Sequence, residues 1–370
     1  MMADTDTFSA LALIASQILS ADRSRRVLLV ADENIDPTII RSVNLQGKIT
    51  ILSNRFDITE VPSTDKLNTL FSDFDFDALD EQFDVCIYRI SKERPVCHHV
   101  FNKCLSILDK NGVLIVGGKK NEGIKNYHQK LVKTLGFEGQ LKKNGDDYTA
   151  TLTAPKNRKP DTLLDDKHYQ ELRRIQPKDA ASSFISKPGL YGWNKVDQGS
   201  QILIDTLLND LRLAGISPTR ILDLGCGYGY LSLSILDALN EKRISGIEAL
   251  IATDNNAAAI LAAEQNIAQH PSSASLSYRI VADNCAANIS TPVDLLICNP
   301  PFHQGFDNSR ALTALFLNTT KRLLAKKGLA YFVVNSFIPL DTLASEKFKC
   351  VTVLSNNRQF KVVRVSHYEP

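Results

Sequence analysis

No stretch of this 370-residue chain approaches the ~18 uninterrupted apolar residues that a membrane helix needs. The apolar stretch 8–19 is no export signal either, because Asp4 and Asp6 stand where such a signal carries positive charge. No C-x-x-C pair occurs. The seven cysteines (Cys86, Cys97, Cys104, Cys226, Cys285, Cys298, Cys350) are scattered and odd in number, which argues against a disulfide frame and for reduced thiols. Cys97, His98, His99 and Cys104 lie close in sequence, but their spacing fits no zinc pattern and the segment reads as helical, so no metal is expected. Strong charge is lacking too. The net charge is +2, and 155–178 holds seven basic residues against four acidic ones, so the rest of the chain is close to neutral. Any contact with nucleic acid must therefore use a local patch. A cytoplasmic protein without a membrane partner is expected.

What is present is two α/β halves separated by a polar stretch. In the second half the apolar run from Arg220 stops at a glycine cluster, and a helix is expected over 231–239. A strand ending at Asp254, a helix over 257–269, strands over 276–281 and 294–298, a helix over 309–325 and a strand over 329–334 follow. A shorter helix is read over 201–208, and 361–365 is read as a last strand at the far side of the sheet. Strands alternating with helices imply βαβ units and a mainly parallel sheet covered on both faces. The first half repeats this rhythm with strands over 26–30, 49–53 and 83–90. Phe83-Asp-Val-Cys-Ile-Tyr and the segment through Val113-Leu-Ile-Val parallel Val293-Asp-Leu-Leu-Ile-Cys and the segment through Leu329-Ala-Tyr-Phe-Val-Val, so two domains of related fold are expected. The boundaries are drawn at 1–155, a linker at 156–183, and 184–370. After the strand 26–30 the first half reads Ala31-Asp-Glu-Asn, with no glycine to let a ligand approach the main chain. That domain is read as non-catalytic, serving substrate recognition or support.

The chemistry concentrates in the second half. Asp223-Leu-Gly225-Cys226-Gly227-Tyr-Gly229 follows a strand and opens a helix. Its alternate glycines permit positive φ, while Tyr230 takes the place of the third glycine of the dinucleotide pattern. An adenosyl sulfonium, which carries no phosphate, suits this turn better than a pyrophosphate, with Asp223 placed for the amino group of a methionine moiety. A glycine-rich turn without a ligand is the plain alternative. Asp254, at the next strand end, suits ribose hydroxyls or a helix N-cap. Asp283 and Asn284 suit an adenine amino group or an Asx turn. Asn299-Pro300-Pro301-Phe302 follows the strand 294–298. There the Asn299 oxygen and the Pro300 carbonyl can each accept from a planar –NH₂, Pro301 stiffens the loop, and Phe302 offers a stacking face. Two such acceptors favour the pyramidal amine whose lone pair is free to attack. His303 reads as a loop histidine, and the segment holding Tyr191 and Trp193 either closes over a cofactor or caps the sheet.

On Pro188-Gly-Leu, Asp197-Gln-Gly-Ser-Gln-Ile-Leu-Ile, Asp223-Leu-Gly-Cys-Gly, Asn299-Pro-Pro-Phe-His, Asn335-Ser-Phe-Ile-Pro and Phe360-Lys-Val, residues 184–366 resemble the ribosomal RNA guanine-N2 methyltransferases of the RsmC/RlmG family. The resemblance implies two tandem Rossmann-like methyltransferase domains, each a mainly parallel α/β sheet with helices on both faces, the N-terminal one degenerate. It further implies transfer from S-adenosyl-L-methionine to a guanine N2 in 16S ribosomal RNA, within the small subunit, by a monomer. Asn-Pro-Pro-aromatic also suits a guanine N2 of large-subunit rRNA, adenine N6 or a protein glutamine. The segment Tyr191-Gly-Trp-Asn departs from the family, which has Phe-Ser there. A guanine in a duplex hides its amino group, so the base is expected to be splayed out for transfer.

Overall fold

The computed structural model describes residues 11–12, 14, 24–38, 48–60, 67–156, 162–177, 183–301 and 306–369. The chain forms two compact units, 2–171 and 172–370. The first contains β1 (Arg26–Ala31), β2 (Lys48–Ser53), helix α1 (Phe56–Thr59), β3 (Leu67–Phe71) and β4 (Phe83–Arg89). Helix α2 (Arg94–Ile107), β5 (Leu108–Lys119), α3 (Ile124–Lys133), β6 (Glu138–Asn144) and β7 (Asp147–Thr153) complete it. The second opens with a ribbon of β8 (Arg173–Ile175) and β9 (Phe184–Ser186), then α4 (Gln198–Ala214), β10 (Arg220–Leu224), α5 (Tyr230–Asn240) and β11 (Ala249–Asp254). It continues with α6 (Ala257–Ala268), β12 (Ser277–Ala282), β13 (Val293–Cys298), α7 (Phe306–Leu323) and β14 (Leu324–Asn335). Helix α8 (Leu340–Ser345), β15 (Cys350–Asn356) and β16 (Phe360–Ser366) close it.

Each unit carries a seven-stranded sheet, ordered β3-β2-β1-β4-β5-β7-β6 and β12-β11-β10-β13-β14-β16-β15. In each sheet six strands run in one direction, and only β7 in the first and β16 in the second run against their neighbours. The strand order reverses between β10 and β13, where ligands collect beyond the carboxyl ends of an open α/β sheet. Alternate residues go to opposite faces because the strand period is two. Ile221, Leu295 and Ile297 enter the core under α4 and α5, whereas Leu222, Leu224, Leu296 and Cys298 enter the one under α7 and α8. The near-continuous apolar character of these strands follows from burial on both sides.

Two expectations need correction. The strand at 361–365 is not at the far side: β16 lies between β14 and β15, and β15 holds the edge. The helix read over 201–208 runs from Gln198 to Ala214, because Asp197 caps it three residues earlier and Gly215, at φ +64°, ends it. Cys97 and Cys104 are buried in α2, where His98 Nδ1 meets the Asp165 carbonyl at 2.6 Å and His99 Nε2 the Phe74 carbonyl at 3.0 Å. Among the described residues no group of three or more His, Cys, Asp or Glu side chains gathers as a metal site. No helix among them is long and apolar enough to cross a membrane.

Candidate active site

The site grows from the carboxyl end of β10. Asp223 shares its face with Ile221, so it points into the core beneath α5 and is fully buried. Its Oδ2 accepts from the Ser232 N–H at 3.0 Å and hydroxyl at 2.7 Å, tying the strand to the first turn of α5. Its Oδ1 is buried with no hydrogen-bond partner. Burial raises the carboxyl to about 7, and the nearby Asp254 charge adds to the shift.

The chain then bends through Gly225 (φ +77°), Gly227 (φ +55°) and Gly229 (φ +89°). The bend is held from β11: Gly225 and Cys226 donate their N–H groups to the Thr253 carbonyl, both at 2.9 Å. Asp254 Oδ2 accepts from the Gly227 N–H at 2.9 Å, and its Oδ1 from the Asn256 N–H at 2.9 Å. A Cβ on Gly227 would meet nothing within 4 Å, so the space over the bend is open. The N-cap of α6 is Asn256, not Asp254. Asp254 instead sits half-buried with its carboxylate at the bend. Asp283 is buried after β12; its Oδ2 accepts from the Asn288 N–H at 3.0 Å and its Oδ1 has no partner. Asn284 is half-buried, and its carbonyl accepts from the Ala287 N–H at 3.2 Å in a turn. Cys226 is buried, and burial holds its thiol well above the ordinary range.

Asn299 continues the face of Leu295 and Ile297, on the strand whose Ile297 pairs in register with Asp223. The glycine bend and Asn299 thus occupy neighbouring strand ends. The Asn299 amide nitrogen donates to Asp197 Oδ2 and to Ser200 Oγ, both at 2.8 Å. Pro300 is buried and Pro301 exposed, whereas Phe302 and His303 lie outside the described residues. The segment from β9 packs on the α6 side of the bend: Phe184 stacks on Tyr228 with ring centroids 4.2 Å apart, and Leu190 and Trp193 join the same apolar cluster against α6. The buried Asn266 side chain pins this arrangement. It accepts from the Ile185 N–H at 2.6 Å and donates to the carbonyls of Ile185 at 2.8 Å and Tyr228 at 2.7 Å. Ser232, Asn266, Asn256, Asp197 and Ser200 are the residues that sequence reasoning gave no site role. Of these the Asp197 and Asn256 caps had a local signature, an Asx residue directly before a helix.

The methyltransferase small domain matches residues 181–364, and its N-terminal companion matches residues 20–159. The chain belongs to the methyltransferase small-domain family. The small-subunit ribosomal RNA methyltransferase C of Shewanella pealeana is 26% identical over 283 residues, covering 76% of this chain and 77% of that one. Its namesake from Buchnera aphidicola is 27% identical over 281 residues, 75% of each chain. Among solved structures, a T. thermophilus 16S rRNA N2 G1207 methyltransferase, in complex with AdoMet and guanosine, superposes with a TM-score of 0.75 at 20% identity. That match covers 93% of this chain and 88% of that one, and shows a shared fold. The residues present fit S-adenosylmethionine: two buried carboxylate oxygens, on Asp223 and Asp283, have no hydrogen-bond partner, and a Cβ on Gly227 would meet nothing within 4 Å.

The first unit of the family fold shows the same scaffold without the site. Its identical strand order allows position-by-position comparison. Asp84 Oδ2 accepts from the Arg26 N–H at 2.8 Å as Asp294 Oδ2 does from the Arg220 N–H at 3.0 Å. In that register Leu29 replaces Asp223, Ala31 replaces Gly225, Ser53 replaces Asp254, Ser72 replaces Asp283 and Arg89 replaces Asn299. The Arg89 guanidinium is buried and donates to Glu122 Oε1 at 2.7 Å. Every polar group that fits the cofactor in one unit is therefore apolar, a hydroxyl or a cation in the other.

Proposed function

We propose that this methyltransferase modifies the exocyclic N2 of a guanine in 16S ribosomal RNA, acting as a monomer on the small subunit. The observation that carries the reading is the placement of Asn299 beside the glycine bend, one strand apart at the same sheet edge. Bound S-adenosylmethionine supplies an electrophilic methyl group; the chain's own residues orient the amine and shape its electrons. Asn299 Oδ1 and the Pro300 carbonyl accept the two amine hydrogens, which draws the nitrogen lone pair out of conjugation with the ring. No strong base is required, because the amine becomes acidic only after the methyl has arrived. Much of the remaining acceleration comes from holding nucleophile and electrophile in line. The names of the relatives, small-subunit enzymes throughout those cited, favour 16S over large-subunit rRNA, adenine or a protein amide. The first unit, lacking the cofactor groups, serves substrate recognition or support of the second.

Mass-spectrometric mapping of rRNA from cells with and without the protein tests this. One N2-methylguanine of 16S rRNA is expected to vanish. Loss of a methyl from 23S rRNA alone, or from protein alone, would overturn the substrate assignment.

A further inference from the structure

We infer that Asp197, with Ser200, is a positioning residue for methyl transfer: it fixes the Asn299 amide so that its oxygen faces the substrate amine. The inference rests on the reading that Asn299 accepts from that amine. A carboxylate has no proton to donate, so the amide group that meets Asp197 Oδ2 at 2.8 Å must be the NH₂. Ser200 Oγ takes the other contact of the same nitrogen at 2.8 Å. Both amide donors are then engaged on the α4 side, and Oδ1 is left as the one atom of the group available to a ligand. A flip would set oxygen against carboxylate. The anion behind the NH₂ also polarises the amide toward its oxygen, which makes Oδ1 a stronger acceptor for an amine gaining positive charge.

Three further features show that Asp197 is itself held in place. Its Oδ2 accepts from the Ser200 N–H at 2.9 Å as the cap of α4. Its Oδ1 accepts from the Tyr191 hydroxyl at 3.2 Å, and burial with the Asp197 charge pushes that phenol up to about 12, so it remains a donor throughout the physiological range. Gly199 is the third: a Cβ there would stand 3.1 Å from both Asp197 Oδ2 and the Phe360 ring.

The test compares D197S, D197N, S200A and N299A. Serine caps a helix well but is too short to reach Asn299, whereas asparagine can cap and reach at once. With 16S rRNA as methyl acceptor, D197S is expected to lower kcat by about 100-fold, and D197N to stay within roughly tenfold of the parent. Cofactor affinity by calorimetry should change less than about threefold in each, because the lost interaction orients the amine and not the sulfonium. S200A, which leaves the Asp197 cap bond intact, should lose about tenfold in kcat and serves if D197S fails to fold. Equal turnover by D197S and the parent would reduce Asp197 to a helix cap. Loss of cofactor binding in step with kcat would make it a cofactor ligand, again overturning the inference. N299A separates the two levels: if it turns over normally, the reading of Asn299 falls whatever Asp197 does. If N299A is inactive and D197S fully active, only the positioning inference falls.

Discussion

At the scale of single residues, Asp223 couples this enzyme to pH. Its carboxyl sits at about 7 because it is buried without a counter-charge. A folded-state value raised above 3.8 means that the native protein holds a proton which the unfolded chain has released. The stabilising contribution is therefore complete below about 4 and is lost as pH climbs through 7. Cofactor-free protein should melt at a lower temperature at pH 8 than at pH 6, and D223N should flatten that dependence. A bound cation reverses the preference, so S-adenosylmethionine affinity should fall by up to about tenfold per pH unit below 7 as binding must expel the proton. Calorimetry in buffers of different ionisation enthalpy would register the released proton near pH 6. Uniform affinity and no proton release from pH 5 to 8 would remove Asp223 from the cofactor's vicinity. The position of Asp223 was legible from sequence, since strand, acid and glycines are contiguous. Its Ser232 partner was not, because a serine in a helix carries no sign of what it faces.

At the scale of elements, the glycine bend separates conformational need from ligand need. Gly227 has φ +55° with open space where a Cβ would stand, so G227A meets no protein atom. Its folding cost should be only the left-handed backbone penalty of roughly 1–2 kcal/mol. The new methyl would occupy the space over the bend, so cofactor binding should weaken far more than stability does. Titration calorimetry beside thermal melts would distinguish the two; a parallel decline in both would mean that the bend is structural alone. The bend, helices α5, α6 and α7 and the core strands were readable because each is set by local geometry or by a buried apolar run. The edge was not. β15 alternates weakly between half-buried and exposed positions, leaving no period to detect, while β16 is mostly buried and was recognised but misplaced. The contact between Asp197 and Asn299 spans 102 residues, and no spacing rule reaches that far.

At the scale of the whole molecule, the two units are one scaffold used twice with opposite polarity at the crevice. One cofactor per chain is the expected stoichiometry; a second site in titration would mean that the first unit retains a function its residues do not suggest. Arg89 and Glu122 form a buried pair where the other unit has its open amide. R89A should destabilise the first unit by about 3–5 kcal/mol, since Glu122 is left buried and uncompensated, while the second unit still binds its cofactor. Differential scanning calorimetry, with and without S-adenosylmethionine, would reveal that asymmetry. Lastly, β16 occupies an interior lane of its sheet, flanked by β14 and β15. The lane stays vacant until residue 366 has been synthesised, whereas the first sheet has every strand by residue 153. During translation, then, the second unit should be the later to close, leaving Tyr331 and its neighbours on β14 waiting for their partner strand until β16 has emerged.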